Sequence, residues 1–428
     1  MNDRFLLSLL LLLALGVQCL GAQTDAAVPD RFTLKIAVMG PGDELYFWWG
    51  HIALVIEDHS AGTARFYDYG IFSFENEHFY RNFAFGRLLY SCGVSSAERS
   101  FQTYIATNRD ITLYTLDLSP ETEEAIRRFA ENNVLPENRD YYYHHFKDNC
   151  ATRIRDIIDL ATQGQFKARF GDAPGRYTLR QHVRRHTWFS PFMDWALNFL
   201  MGQDIDVPIT IWEEMFLPAE IGLRISDFTY TDDTGVERPL VSSVEVLNRA
   251  ENRPAVLDIP RRQWPYELAV GIVLAAMLAC FARIYAKRPL LGRPLLAFTQ
   301  SALGLFFGLM GSLLFFMSFF TNHDYTWHNS NILFINPVLL AIVPLGIIAA
   351  TDKRPGKRWL AEQFLRALWT YVLFGGLLSM LIKLTPNFYQ QNQVTQALVL
   401  PAALALSYIP GWAQRLRQAQ SLRAEQRK

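Results

Sequence analysis

The stretch KDNCATRIRDIIDL, residues 147–160, places a single cysteine at the start of a predicted helix. From Ile154 its apolar residues recur at i, i+3, i+4 and i+7, a spacing typical of a helix with one buried face. Asp148 or Asn149 is suited to cap such a helix. Cys150 would then lie in the first turn, so the question this stretch raises is whether the cysteine is reactive or structural.

The surroundings of Cys150 favour reactivity. At a helix start, unpaired N–H groups and the positive end of the helix dipole stabilise a thiolate. Lys147, Arg153 and Arg155 add positive charge nearby in the sequence. A backbone N–H at the same place can also receive an oxyanion. The local sequence therefore predicts a nucleophile.

Two structural alternatives remain open for the cysteines. An oxidising compartment would allow a disulfide between Cys92 and Cys150. Burial as a small apolar residue is the other alternative, and it suits Cys92, in an apolar strand, better than Cys150. There is no CxxC pair and no metal-ligand spacing, so the sequence indicates no metal or organic cofactor.

The N-terminus predicts export. MNDRFLLSLLLLLALGVQCLGAQT has one arginine, an apolar run and small residues near position 22, as in a secretory signal. We expect a signal peptide over residues 1–22, with a retained membrane anchor as the alternative. The net charge is zero, with 41 basic and 41 acidic side chains, so composition does not indicate a nucleic-acid partner.

The C-terminal part predicts an all-α membrane domain over residues 263–412, followed by a basic cytoplasmic tail, residues 413–428. Five windows approach the roughly 20 apolar residues that a spanning helix requires: 266–286, 297–320, 331–350, 364–382 and 394–412. Basic residues follow the first, third and fifth windows, whereas the other loops carry only Lys383. Basic loops face the cytoplasm, so residues 23–262 lie outside, in the periplasm of a double-membraned bacterium.

Residues 23–262 predict a mixed α and β domain. FTLKIAVMG, HIALVIED, ARFYDYG, RLLYSCG and ITLYTLDL have the composition of strands. SPETEEAIRRFAENN predicts a helix with Ser119 as its N-cap and Pro120 at its first position. The proline-containing segment 246–264 predicts a linker to the membrane.

A cysteine nucleophile needs a base, and this domain has several histidines. His51 follows Gly50 at the start of the strand HIALVIED, which can hold the imidazole rigidly at a cleft. His59, His144 and His182 are among the competitors, and a histidine beside aromatic residues is more often packed than catalytic. Spacing alone therefore makes His51 only the favoured candidate.

An ordered series of motifs adds specificity: GHIAL (50–54), FYDYGIFSF (66–74), NFAFGRLLY (82–90), DNCATRIRDII (148–158), YTLRQHV (177–183) and MFLPAEI (215–221). Histidine on an early strand and cysteine at a later helix start resembles the permuted papain-like fold of lecithin retinol acyltransferase and its NlpC-type relatives. The full series resembles the Lnb family of bacterial lipoprotein N-acyltransferases, and the loop HDYTWHNSNILFINP (323–337) resembles the membrane part of that family. The resemblance implies an α+β periplasmic domain followed by five transmembrane helices.

The resemblance also implies the catalytic residues. The family nucleophile falls on Cys150 and its base on His51. Asp68 stands where the family usually has asparagine, and we expect it to orient the imidazole. That departure leaves Tyr69 and Asp148 as competitors for the third position.

Five residues are candidates for substrate binding: Tyr69, Asn149, Arg153, His323 and Asn331. The last two lie in the polar outer loop, for which we expect headgroup binding or contact with the catalytic domain. The alternative is that the loop is simply hydrated.

The implied reaction is transfer of an acyl chain from a phospholipid, through a cysteine thioester, to the N-terminal cysteine amine of a diacylated lipoprotein, at the bacterial inner membrane. Two other classes remain open. A membrane-tethered cysteine peptidase or amidase would use the same residues and release its acyl group to water. A non-catalytic envelope scaffold would tolerate replacement of both Cys150 and His51.

Overall fold

The computed structural model describes residues 31–72 and 78–408. The predicted signal peptide, the basic tail and the end of the fifth apolar window lie outside these residues. Within them, an N-terminal α+β domain precedes a helical C-terminal domain, as predicted.

The centre of the N-terminal domain is a seven-stranded sheet in which every neighbouring pair is antiparallel. The order across it is β6-β4-β3-β2-β1-β5-β9. All five strands predicted from the sequence are present. The strands are β1 Phe32–Met39, β2 His51–Asp58, β3 Thr63–Ile71, β4 Leu89–Ser96, β5 Ile111–Leu116, β6 Asp140–Tyr142 and β9 Val241–Asn248, with a separate hairpin of β7 Thr229–Thr231 and β8 Glu237–Pro239.

Nine helices of four or more residues accompany the described strands. They are α1 Phe79–Ala84, α2 Ala97–Ala106, α3 Pro120–Asn133, α4 Cys150–Ala161, α5 Gln165–Phe170, α6 Leu179–Thr187, α7 Pro191–Leu200, α8 Ile211–Glu214 and α9 Pro218–Ser226. The predicted cap of α3 is confirmed, because the Ser119 side chain accepts a hydrogen bond from the Thr122 N–H.

Both faces of the sheet are covered, because successive strand residues point to opposite sides. On one face, Ile52 and Leu54 of β2 join the core formed with α3 and α4. On the other, Ala53 and Val55 join a smaller core against α2. The helix that begins with Cys150 therefore packs directly on the sheet that carries His51.

The C-terminal domain contains four helical segments that are long and apolar enough to cross a membrane: Trp264–Lys287, Pro289–Phe320, Ser330–Thr351 and Pro355–Leu384. Their α-helical parts are α10 Trp264–Lys287, α11 Pro289–Phe320, α12 Ile342–Thr351 and α13 Pro355–Leu381. A shorter apolar helix, α14 Gln393–Tyr408, ends where the described residues end. The fifth predicted span therefore stays a prediction.

The third predicted span is not one continuous α-helix. It begins with two 3-10 segments, Ser330–Leu333 and Pro337–Ala341, and becomes α-helical only at Ile342. Pro337 lacks an N–H, and the Asn336 side chain accepts a hydrogen bond from the Val338 N–H, which starts the second segment. Hydropathy detects the apolar length but not this break.

Helix α7 connects the two domains. Its Trp195 stacks on Phe306 of α11 with ring centroids 5.5 Å apart. Trp195 and Phe199 belong to the same buried cluster as side chains of the membrane helices. The aromatic stretch 187–195 thus contributes to the membrane domain, although it precedes the first span by about 70 residues of chain.

The predicted linker, residues 246–264, is irregular after β9 but is fixed to the N-terminal domain. Arg253 forms an ion pair with Asp43 at 2.8 Å. The Leu257 N–H donates to the Arg185 carbonyl at 3.1 Å. Its first residues were predicted wrongly, since positions 246–248 belong to β9 and pair with β5.

Candidate active site

Cys150 is the first residue of α4, and Asn149 is its N-cap. Asn149 Oδ1 accepts from the Thr152 N–H at 2.9 Å, and Thr152 Oγ1 accepts from the Asn149 N–H at 2.8 Å. This reciprocal pair fixes the first turn of the helix. The Cys150 side chain is consequently held at the N-terminus of the helix, which is the positive end of the helix dipole.

Asn149, predicted to bind substrate, has its side-chain amide hydrogen-bonded within the protein. Its amide nitrogen donates to the His145 carbonyl at 2.8 Å and to the Phe216 carbonyl at 3.0 Å. Both hydrogens and the oxygen are therefore used within the protein. Asn149 is buried and acts as a structural cap that ties the turn before Cys150 to the segment after α8.

His51 and Asp68 come together from adjacent strands. Ala53 pairs with Asp68 in the antiparallel ladder, so the first residue of β2 lies near Asp68 on the same face. His51 Nε2 is 2.9 Å from Asp68 Oδ1. The Gly70 N–H donates to the same oxygen at 2.7 Å. The carboxylate is thus fixed by the backbone and in turn orients the imidazole.

The two groups shift each other's proton affinity. Burial lowers the pKa of His51, but the charge of the Asp68 carboxylate and its hydrogen bond to the ring act in the opposite direction, and the pKa of His51 lies well above its ordinary value. Burial raises the pKa of Asp68, whereas the imidazolium and the Gly70 N–H together bring it below its ordinary value. The pair is therefore a carboxylate and an imidazolium around neutral pH. Cys150 belongs to the same buried core as Ile52 and Leu54 of β2, the strand that begins with His51.

Gly70 leaves the space that the imidazole occupies. A Cβ at this position would lie 2.8 Å from His51 Cε1 and 3.4 Å from Asp68 Oδ1. We expect Gly70→Ala to displace the ring and to lower kcat roughly 10- to 100-fold, with little loss of thermal stability. Gly356→Ala, where no atom lies within 4 Å of an added Cβ, is the matched control. Equal activity of the two variants would show that the ring position is not critical.

A column of stacked side chains lies against one face of the His51 ring. The Tyr104 ring of α2 stacks on the His51 ring at 6.3 Å with an interplanar angle of 21°. The Arg109 guanidinium lies 4.8 Å from the Tyr104 ring and 4.7 Å from the Phe47 ring. Arg109 is only 2 % exposed, and its Nε donates to the Gly40 carbonyl at 2.9 Å. Sequence reasoning missed Tyr104 and Arg109, because no local motif links an α2 tyrosine to a histidine 53 positions earlier.

Cys92 and Cys150 are free thiols in the structure, so the disulfide alternative is not formed. Cys92 is buried in the core beneath the sheet. Burial raises its pKa to about 12, which keeps this thiol protonated and unreactive. Cys92 therefore matches its predicted role as a small apolar residue.

The competitors of Asp68 have other partners. Asp148 forms a two-point ion pair with Arg153, with distances of 2.6 and 2.8 Å. The buried Tyr69 hydroxyl accepts a hydrogen bond from Asn133 at 3.3 Å. The guanidinium of Arg153 also lies over the Tyr141 ring. Tyr69 and Arg153 thus have partners within the protein, and their predicted roles in substrate binding stay predictions.

The outer-loop residues predicted to bind substrate instead join the domains. His323 Nε2 donates to the Phe83 carbonyl at 3.0 Å, and its Nδ1 accepts from the Tyr325 hydroxyl at 2.9 Å. Asn331 Nδ2 donates to the Phe199 carbonyl at 3.0 Å. Both His323 and Asn331 are buried. Of the two predicted roles for this loop, the contacts match docking on the catalytic domain rather than headgroup binding.

A second histidine–carboxylate pair has a structural environment. His182 Nε2 lies 3.0 Å from Glu214 Oε1, and both side chains are 0 % exposed. Arg185 contacts His182 Nδ1 at 2.9 Å and Glu220 at 3.0 Å. The motifs YTLRQHV and MFLPAEI thus meet in one buried ionic network that joins α6 to α9.

Two family models match consecutive parts of the chain. The Lnb N-terminal periplasmic domain matches residues 22–185, and the Lnb transmembrane domain matches residues 264–409. The chain is a member of the Lnb family. No curated protein and no solved structure matches it significantly. Membership makes this Lnb protein a multi-pass membrane protein with a periplasmic domain, and it relates the protein to lipoprotein N-acyltransferases. In this Lnb chain, the residues between the two matched regions include α7, α8, α9, the β7–β8 hairpin and β9.

Proposed function

We propose that this Lnb protein transfers an acyl chain from a phospholipid, through a thioester on Cys150, to the N-terminal cysteine amine of a diacylated lipoprotein. The observation that carries the proposal is the hydrogen-bonded His51–Asp68 pair on the sheet against which the helix that begins with Cys150 packs. The N-terminal domain contacts the membrane domain through α7, whose Trp195 packs on Phe306, and through the outer loop, whose His323 bonds to the Phe83 carbonyl. Both lipid substrates can therefore reach the site without leaving the bilayer.

In the first half-reaction, the Cys150 thiolate attacks an ester carbonyl of the phospholipid. With Nε2 of His51 donating to Asp68, Nδ1 is the ring nitrogen available to the sulfur and the leaving oxygen. A backbone N–H at the start of α4 receives the negative charge that develops on the carbonyl oxygen. The carbon–oxygen bond breaks, the imidazolium gives its proton to the departing alkoxide, and a lysophospholipid and a thioester result.

In the second half-reaction, the lipoprotein α-amine attacks the thioester carbonyl. The neutral imidazole formed in the first step takes a proton from the amine, the carbon–sulfur bond breaks, and an amide forms. Cys150 leaves as a thiolate beside the regenerated imidazolium. A thioester suits this step, because it reacts with amines while a thiolate leaves readily.

A series of aromatic rings suggests how an acyl chain approaches the thiol. Phe85, next to α1, contacts Phe316 near the outer end of α11, with ring centroids 5.5 Å apart. Phe72 contacts Tyr90 at 5.0 Å, and Tyr90 stacks on Tyr143 at 4.2 Å. Tyr90 precedes Cys92 by two residues on β4, so it points to the same side of the sheet as the core that contains Cys92 and Cys150. The segment FWW, residues 47–49, is not part of this series. Its buried Trp48 packs on Phe189, which precedes α7.

The proposal also includes the papain-like arrangement of the N-terminal domain, the fifth membrane span and the location in the inner membrane. Strand order, a histidine on β2 and a cysteine at the start of α4 support the permuted papain-like arrangement. A fifth span completed by residues beyond Tyr408 would place the basic tail in the cytoplasm, and the inner membrane is the location that follows.

The deciding experiment is complementation of a bacterial strain depleted of its own lipoprotein N-acyltransferase, with mass spectrometry of a reporter lipoprotein. We expect one additional N-linked acyl chain on the reporter. Free fatty acid without N-acylation would instead indicate a hydrolase. Unmodified reporter and unmodified lipid, despite good expression, would indicate a scaffold and refute the transferase.

Asp68→Asn tests the role of the third residue. Asparagine, which the family usually has at this position, can still accept a hydrogen bond from His51, so we expect kcat to fall by no more than about 10-fold, whereas Asp68→Ala should lose more. Since Asp68 raises the pKa of His51, its neutralisation lowers that pKa. The mechanism needs the imidazolium, whose proton is lost as pH rises through the folded-state pKa. The high-pH limb of kcat/KM should therefore move down by roughly one to two pH units in Asp68→Asn. An unchanged limb would separate Asp68 from catalysis.

A further inference from the structure

The outer loop of the membrane domain reaches the turn that carries the nucleophile. Asp324 Oδ1 lies 2.7 Å from His144 Nε2, and Asp324 Oδ2 lies 2.6 Å from Lys147 Nζ. We propose that Asp324 is a positioning residue, through which the membrane domain holds the 144–148 turn, and hence Cys150, in its reactive position. This inference rests on the proposed function of Cys150.

His144 organises the turn from within. Its ring Nδ1 accepts from the Phe146 N–H at 3.1 Å and from the Lys147 N–H at 3.0 Å. Its backbone N–H donates to the Asp148 carbonyl at 2.8 Å, and the Asp148 N–H donates back at 3.2 Å. The turn therefore closes around the imidazole, and Asn149 and Cys150 follow immediately.

Asp324 determines which form of His144 supports this closure. Because Nδ1 accepts two hydrogen bonds, the ring proton must be on Nε2. Asp324 is the acceptor for that proton. Hydrogen bonds to His144 and to Lys147 also hold the pKa of Asp324 below its ordinary range, so it stays ionised. An ionised carboxylate from the membrane domain thus fixes both the tautomer and the orientation of the ring.

The loop is itself firmly attached, so that Asp324 can serve as a fixed point. The Asn322 N–H donates to the Phe85 carbonyl at 2.9 Å. A Cβ at Gly86 would lie 2.8 Å from the backbone of both Asn322 and His323. The Tyr325 ring contacts Phe146 of the turn, with ring centroids 5.9 Å apart. Contacts on both sides of Asp324 therefore resist its movement.

The chain offers a matched control at the same interface. His328 Nδ1 lies 2.9 Å from Asp204 Oδ2, which is also a histidine–aspartate pair between the outer loop and the N-terminal domain. This pair is exposed and lies outside the 144–148 turn. Asp204→Asn therefore removes an equivalent contact between the domains without touching the nucleophile turn.

The test compares Asp324→Asn with Asp204→Asn in the full-length protein in phospholipid vesicles. Mass spectrometry follows single-turnover acylation of Cys150 over a range of phospholipid fractions. We expect Asp324→Asn to slow the acylation step roughly 10- to 100-fold at saturating phospholipid, with half-saturation unchanged. Asp204→Asn should stay within about 2-fold of the wild type. A change in half-saturation alone would assign Asp324 to lipid binding and overturn the proposal.

A second variant and a second probe keep the outcome interpretable. His144→Gln should slow acylation similarly, and the double variant should be no slower than either single variant, because the two residues act as a unit. Additive losses would contradict the proposal.

The alkylation rate of Cys150 by iodoacetamide, measured on the peptide that contains Cys150, reports the position of the thiol without any lipid. If the wild type accepted no acyl group, the proposed function would fail. Slower alkylation of Cys150 in Asp324→Asn than in the wild type would still support the positioning role. Equal alkylation in all variants would refute it.

Discussion

Cys150→Ser will abolish acyl transfer, with kcat reduced by about 10⁴-fold or more. A serine hydroxyl remains protonated at neutral pH, and the helix dipole that stabilises a thiolate cannot ionise it. The measurement is N-acylation of a reporter lipoprotein in the complementation strain, together with the mass of the Cys150 peptide after incubation with phospholipid vesicles. The wild-type peptide should carry one acyl group that hydroxylamine removes, and the variant peptide should carry none.

Cys92→Ser is the matched control for the loss of a thiol. Cys92 is also a free, buried cysteine in the same core, but its pKa of about 12 and its apolar surroundings give it no chemical role. The control should retain activity within a few-fold. Full activity of Cys150→Ser would refute the covalent mechanism, even if the transferase activity itself were real.

His51→Ala should have the second largest effect, a fall in kcat of about 10³- to 10⁴-fold. The variant loses the imidazolium that pairs with the thiolate and protonates the departing lysophospholipid. Single-turnover kinetics should show the loss in the acylation step, with phospholipid half-saturation little changed. Acylation of Cys150 at the wild-type rate would exclude His51 as the proton donor of this step.

His59→Ala controls for removal of a histidine from the same domain. His59 follows β2 and bonds to Thr33 at an exposed site, with Nε2 2.8 Å from Oγ1. Its removal should leave acylation unchanged. Similar losses in both variants would indicate a general disturbance of the sheet rather than a catalytic role for His51.

Local sequence patterns were sufficient to predict the strands, the helix caps and the apolar length of the membrane spans. The predicted strand HIALVIED and the cap at Ser119 both occur as expected, because pleat periodicity and helix capping act over a few residues. The break before Ile342 was not predictable from hydropathy, which averages over a window and does not see a change from α to 3-10 geometry.

The choice between Asp68 and Tyr69 as the partner of His51 depended on the register between β2 and β3. Asp68 and Tyr69 are neighbours, so they point to opposite faces of β3, and a slip of one residue would exchange them. The pairing of Ala53 with Asp68 places the carboxylate on the side of His51 and leaves the Tyr69 hydroxyl with Asn133. Asp148, adjacent to the nucleophile in sequence, is instead neutralised by Arg153.

The sequence by itself determined the membrane region, the strand carrying His51 and the helix beginning at Cys150, because hydropathy, periodicity and capping are properties of short segments. Only the tertiary structure decided that Asp68 faces His51, that Tyr104 and Arg109 stack beside it, and that Asp324 of the membrane domain holds the turn before Cys150. Those contacts join residues up to 180 positions apart. Their formation depends on strand register and on the docking of two domains, which no local pattern encodes.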